Sequence, residues 1–103
     1  MKSSQVERLK NDATITEEEY AKYSELQVLK SGAGYYIGTT FKGDHFNEPG
    51  SRDTSYFETE EVAKEALELL ENLYRSHGVL CFEPWEVTMT RKLGRSIEYR
   101  FYP

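Results

Sequence analysis

The sequence predicts an α+β domain: an antiparallel sheet of four to five strands carrying one long helix on one face and a short helix near the N-terminus. Two observations predict it. Residues Thr59 to Gly78 repeat their apolar side chains at helical spacing, with Val62, Ala66, Leu69, Leu70 and Leu73 in one stripe widened by Ala63, Leu67 and Tyr74. On either side of that helix lie pairs of alternating segments split by glycine turns, which is the pattern of β-hairpins.

Residues 1–13 are polar and aperiodic and read as a flexible N-terminal arm, leaving 14–103 as a single domain. Thr16-Glu17-Glu18-Glu19 matches a capping box, with Ile15 and Tyr20 placed as a hydrophobic staple. A short helix is expected from Glu17 to about Ser24. Glu25 to Lys30 and Tyr35 to Phe41 flank the turn Ser31-Gly32-Ala33-Gly34 and form the first hairpin, with Ile37, Thr39 and Phe41 on one face. Lys42 to Asp53 contains Gly43, Pro49 and Gly50 and reads as a loop. Thr54 to Phe57 is a short strand feeding the long helix. Thr59 is placed as the N-cap of that helix, and Glu60 and Glu61 suit the positive end of its dipole. His77 falls in the last turn, and Gly78 supplies the left-handed residue that closes it. Val79 to Phe82 is a short apolar run ended by Pro84. Trp85 to Lys92 and Ser96 to Tyr102 form the second hairpin, with Trp85, Val87 and Met89 facing Ile97, Tyr99 and Phe101.

With 103 residues and 38% apolar residues, the core must be modest, and a 14% aromatic share supplies much of its buried area. The net charge is −5, which argues against a general nucleic-acid binder. It is uneven: residues 58–73 carry six Glu against one Lys, whereas Arg91, Lys92, Arg95 and Arg100 make the C-terminal end basic. One Cys forms no internal disulfide, and no apolar run approaches membrane length. A cytoplasmic protein without a membrane partner is expected. Exposed strand edges suggest a homodimer.

Gly34-Tyr35-Tyr36-Ile37-Gly38 is similar to one half of the GIY-YIG nuclease motif. No Gly-Ile-Tyr precedes it, and Arg52 is expected in a loop where that family needs a helical Arg. A small metal-dependent nuclease is therefore the third reading. Asp44, His45, Glu48 and Asp53 lie close together without a recognised ligand spacing, and His77 and Cys81 have no second pair to complete a zinc site. No Gly-rich loop precedes a helix, so neither a phosphate loop nor a cofactor is expected. No catalytic residue is assigned.

Two features point to binding. Ser51-Arg52-Asp53 sets a planar guanidinium fork beside a hydroxyl and a carboxylate, suited to a phosphate or carboxylate, with Tyr36 and Phe46 as neighbouring aromatics. Glu61, Glu65 and Glu68 lie at spacings of four and three on the long helix, about 5–6 Å apart, a row that resembles phosphates along a strand. Basic residues interleaved with aromatics in the second hairpin are read as guards of an edge strand.

Tyr35-Tyr36-Ile37-Gly38, Ser51-Arg52-Asp53-Thr54 and Tyr56-Phe57-Glu58-Thr59-Glu60-Glu61 with Ala63, Ala66 and Leu67 together resemble a pattern in small phage- and prophage-encoded proteins. The likeness spans about residues 34–70. It implies a small accessory protein that inhibits a host function, and it carries over no catalytic residues. The expected function is a non-enzymatic interaction protein with a host protein as partner, contacting it through the acidic row and the 42–54 loop. The alternative is a binding module for a nucleotide-like or other anionic small molecule, held by Arg52 and the aromatics.

Overall fold

A computed structural model describes residues 2–77, 85–91 and 94–102, with the backbone alone for His77 and Trp85. The chain runs α1 (Ser4–Asn11), α2 (Glu17–Lys22), β1 (Gln27–Ser31), β2 (Gly34–Lys42), β3 (Asn47–Arg52), α3 (Glu60–His77), β4 (Trp85–Thr90) and β5 (Ser96–Phe101). This is the α+β class expected, with its strands divided into a three-stranded antiparallel sheet, β1-β2-β3, and a two-stranded sheet, β4-β5. The Gly78 cap, the Val79–Phe82 run, Pro84, Cys81 and Lys92 lie outside the described residues, as do the side chains of His77 and Trp85.

The N-terminal arm is corrected. Residues 4–11 are helical, capped by Ser3, whose Oγ accepts from the Gln5 N–H at 3.1 Å. Ser3, Ser4 and Val6 are buried, so this helix is docked on the domain. Eight residues with so few apolar positions leave no readable period, which is why the sequence reads as an arm. Ala13 takes a positive φ of 56°, and the Thr14 N–H reaches back to the Leu9 carbonyl at 2.9 Å, closing α1.

The capping box of α2 forms in both directions. Thr16 Oγ1 accepts from the Glu19 N–H at 3.1 Å, and Glu19 Oε1 accepts from the Thr16 N–H at 3.2 Å. The helix stops at Lys22 because Tyr23 is extended and bridges Phe41, with the two rings edge-on at 4.9 Å.

The first hairpin turns through Gly32-Ala33, with Ser31 opposite Gly34. The second correction concerns the expected loop at 42–53, where Asn47–Arg52 is strand β3, paired with β2 across a bulge between Thr39 and Thr40. Pro49 and Gly50 hide it in the sequence. Pro is tolerated because β3 is an edge strand, and the bulge absorbs the irregular pairing. A Cβ on Gly38 would stand 2.1 Å from the Ser51 carbonyl oxygen, so this close crossing of β2 and β3 requires glycine. The true loop shrinks to the turn around Asp44, His45 and Phe46, closed by a Gly43 N–H to Phe46 carbonyl bond of 3.1 Å.

Thr54–Phe57, expected as a strand, makes isolated bridges instead: Thr54 with Phe101 and Tyr35 with Phe57. It stitches the two sheets together. Asp53 N–H donates to the Ile37 carbonyl (2.8 Å), Tyr102 N–H to the Asp53 carbonyl (2.7 Å), and Ser55 N–H to the Arg100 carbonyl (2.9 Å).

Helix α3 starts as predicted, with Thr59 Oγ1 accepting from the Val62 N–H at 3.3 Å. Val62, Ala63, Ala66, Leu70 and Tyr74 bury its inner face, while Leu69 lies half-buried beside them. One core joins these to Ile37 and Phe57 and to Val87, Met89, Tyr99 and Phe101 of the second hairpin. The register of that hairpin pairs Trp85 with Phe101, Val87 with Tyr99 and Met89 with Ile97, the facing sets expected from alternation.

Candidate functional site

Strand alternation sorts the Ser51-Arg52-Asp53 triplet. Successive side chains leave opposite faces of a strand, so Ser51 and Asp53 turn inward and Arg52 turns outward. Asp53 is fully buried, and its carboxylate accepts from Ser3 Oγ at 2.5 Å and Ser51 Oγ at 2.7 Å. Ser51 Oγ also lies 2.8 Å from Thr39 Oγ1. Burial pushes the Asp53 carboxyl up to about 6 from 3.8, against the lowering effect of the hydrogen bonds from Ser3 and Ser51.

Arg52 is exposed, and among the described residues no carboxylate pairs with it. Its Cζ lies 4.9 Å from the centre of the Tyr56 ring and 5.1 Å from that of Tyr102, within range for cation–π attraction. One N–H donates to the Thr54 carbonyl at 3.3 Å. The backbone beneath is fixed as well: the Gln5 side-chain amide donates to the Arg52 carbonyl at 2.9 Å and to the Tyr102 carbonyl at 2.8 Å. The guanidinium is thus positioned and, among the described residues, free of any counter-carboxylate.

Beside it opens a depression of about 290 Å³ lined by Ser31, Tyr36, Pro49, Gly50, Ser51, Arg52 and Tyr56. Tyr36 is buried and meets Tyr56 edge-on, their centroids 5.8 Å apart. Arg52 therefore shares its site with Tyr36, as expected. Phe46, the other expected neighbour, stands 70% exposed in the β2–β3 turn and is not among the residues lining the depression.

The acidic row is only partly free. Glu61 and Glu68 are exposed, but Glu65 Oε2 accepts from Arg91 Nε at 2.9 Å, tying α3 to the end of β4. Glu60 pairs with Lys64 one turn on, at 3.3 Å.

Family models, curated proteins and solved structures give no match to this chain.

The remaining chemistry disperses. Asp44, His45 and Glu48 are exposed, whereas Asp53 is enclosed with its two serines. Among the described residues no group of three His, Cys, Asp or Glu side chains is placed to hold a metal ion. No helix among them is long and apolar enough to cross a membrane. A cleft of about 520 Å³ separates the first turn of α3 from the tip of the second hairpin, with Val62, Phe57 and Ile97 in its lining and Glu58, Glu98 and Arg95 among its charged residues.

Sequence reasoning selects Arg52 but misses Tyr102 and Gln5 as its supports and Ser3 as the partner of Asp53. Tyr102 and Gln5 meet Arg52 only through the tertiary fold, 50 and 47 positions away in the chain, so no local spacing reveals them.

Proposed function

We propose that this chain is a small non-enzymatic interaction protein of phage type, acting in the cytoplasm on a host protein through the face that carries Arg52. The observation that supports this reading is the state of Arg52: exposed, set against two tyrosines and unpaired with any carboxylate among the described residues. Arg and Tyr are the residue types that dominate binding energy at protein interfaces. An arginine already held in place loses less freedom on binding than a floppy one. The acidic row is the weaker surface, because Glu65 already has its partner in Arg91.

The test is co-purification from host cells with tagged variants. A host protein retained by the wild type should be lost with Arg52→Ala and kept when Glu61 and Glu68 are both changed to Gln. The reverse result would move the contact surface to α3. Retention by all three proteins would remove both surfaces.

A further inference from the structure

The chemistry that Arg52 can accept is narrower than its charge suggests. A guanidinium has five N–H donors in one plane, and here one of them is spent on the Thr54 carbonyl. Tyr56 and Tyr102 lie against the cation at 4.9 and 5.1 Å, so an incoming group must reach the donors that remain at the edge of the fork. An acceptor in that position with two oxygens makes the fork-to-fork pair of Arg and a carboxylate.

Three further observations choose among anions. First, among the described residues Arg52 is the only charged one lining the depression, which otherwise presents Ser31, Tyr36, Pro49, Gly50, Ser51 and Tyr56. One cation matches a group of single charge, whereas phosphorylated motifs are read by clusters of arginines. Second, the aromatic surface open to a nucleobase is limited. Tyr36 is buried, and the Tyr56 ring carries Arg52. Third, the depression holds about 290 Å³, at the lower edge of the range for pockets that enclose a free small molecule. A side chain projecting from a larger partner needs no such enclosure.

Resting on the reading that Arg52 marks the contact face, we infer that the Arg52 depression seats one Asp or Glu carboxylate of an acidic segment of a protein partner. Ser51 and Gly50 line the depression beside it, and the Thr54 carbonyl with the Tyr56 and Tyr102 rings holds the fork in place. Local charge favours such contact at this face: the chain as a whole carries −5, while Arg52 has no counter-carboxylate among the described residues.

Selection from a display library of random twelve-residue peptides tests this inference even while the partner is unidentified. Wild-type protein should enrich peptides that share an Asp or Glu at one position. Changing that residue to Asn or Gln in a selected peptide should weaken binding about tenfold. Arg52→Lys should lose most of that gain, because Lys keeps the charge but not the planar fork. Thermal unfolding of Arg52→Lys near the wild-type midpoint keeps the comparison valid. Peptides that depend on Arg52 but share no acidic position would overturn the carboxylate and leave the face. Acidic peptides that bind Arg52→Ala as well as wild type would overturn both. A library that yields nothing, together with amide shifts on adding AMP or inorganic phosphate that vanish in Arg52→Ala, would replace the carboxylate by a phosphate ligand; nothing from either arm would also reject it.

Discussion

At the scale of the residue, Asp53 is where the chain accepts an electrostatic cost. Its carboxylate is fully buried, and the two serine hydroxyls that donate to it do not offset the lost water, so its pKa stands at about 6 against an ordinary 3.8. The sign of the consequence follows from proton linkage. Between those two values the folded protein holds the Asp53 proton and the unfolded chain does not, so this group makes the fold more stable as pH falls. The contribution is fully present below 3.8 and is lost as pH rises through about 6; it is on the order of 2–3 kcal/mol. Other carboxylates titrate in the same window, so the comparison must be with Asp53→Asn. That variant removes the buried charge, and a serine hydroxyl can turn to accept from its amide. Urea unfolding at pH 4, 5, 6 and 7 should show Asp53→Asn gaining on the wild type as pH rises. A constant difference across the series would mean that Asp53 titrates at an ordinary value. Either way Asp53 is not the counter-charge of Arg52: the neighbouring carboxylate is turned inward and bonded to Ser3 and Ser51.

At the scale of the element, what was legible depended on length and period. Helix α3 has eighteen residues, enough for its apolar stripe and its Thr59 cap to be read directly. Its centre, Leu70, is fully buried, and Leu70→Ala should cost about 2–5 kcal/mol, measurable as a lower midpoint in urea; a loss below about 1 kcal/mol would mean that the stripe is not packed as described. The second hairpin was legible to the residue pair, because strict alternation admits a single register. Helix α1 and strand β3 were not. The first is held by burial of Val6 and by Ser3 on Asp53, contacts with partners far along the chain. The second contains Pro49 and Gly50 and forms through pairing with β2 across a bulge, so tertiary context overrides its poor strand propensity. The candidate site inherits this split. Arg52 was readable as an anion fork, but Tyr102 and Gln5 reach it only once β5 and α1 have docked.

At the scale of the whole molecule, the question is whether the two sheets behave as one body. Two-stranded hairpins are marginal alone in water, so β4-β5 needs the rest of the domain. It is joined by backbone contacts along the 53–55 segment: Ser55 to Arg100, Tyr102 to Asp53, and the Thr54–Phe101 bridge. It is joined again by apolar packing, since Val87, Met89, Tyr99 and Phe101 share a core with Ile37, Phe57 and α3. The Tyr74 and Phe101 rings meet edge-on at 6.0 Å, and Phe57 meets Tyr99 at 5.1 Å, so α3 and the segment bridged to β2 each have an aromatic contact with the hairpin. Removing the hairpin would expose a large part of the one core available to a chain of 103 residues. A domain of that size has a total stability of about 5–15 kcal/mol, too little to leave a stable half behind. Unfolding should therefore be a single transition. The chain's one tryptophan, Trp85, belongs to β4, and far-UV circular dichroism is dominated by α3, so the two signals report separate parts. Their urea curves should coincide in midpoint and slope. If tryptophan emission changes at lower urea than the helical signal, the second sheet opens independently, and the Tyr102 side of the Arg52 site would open with it.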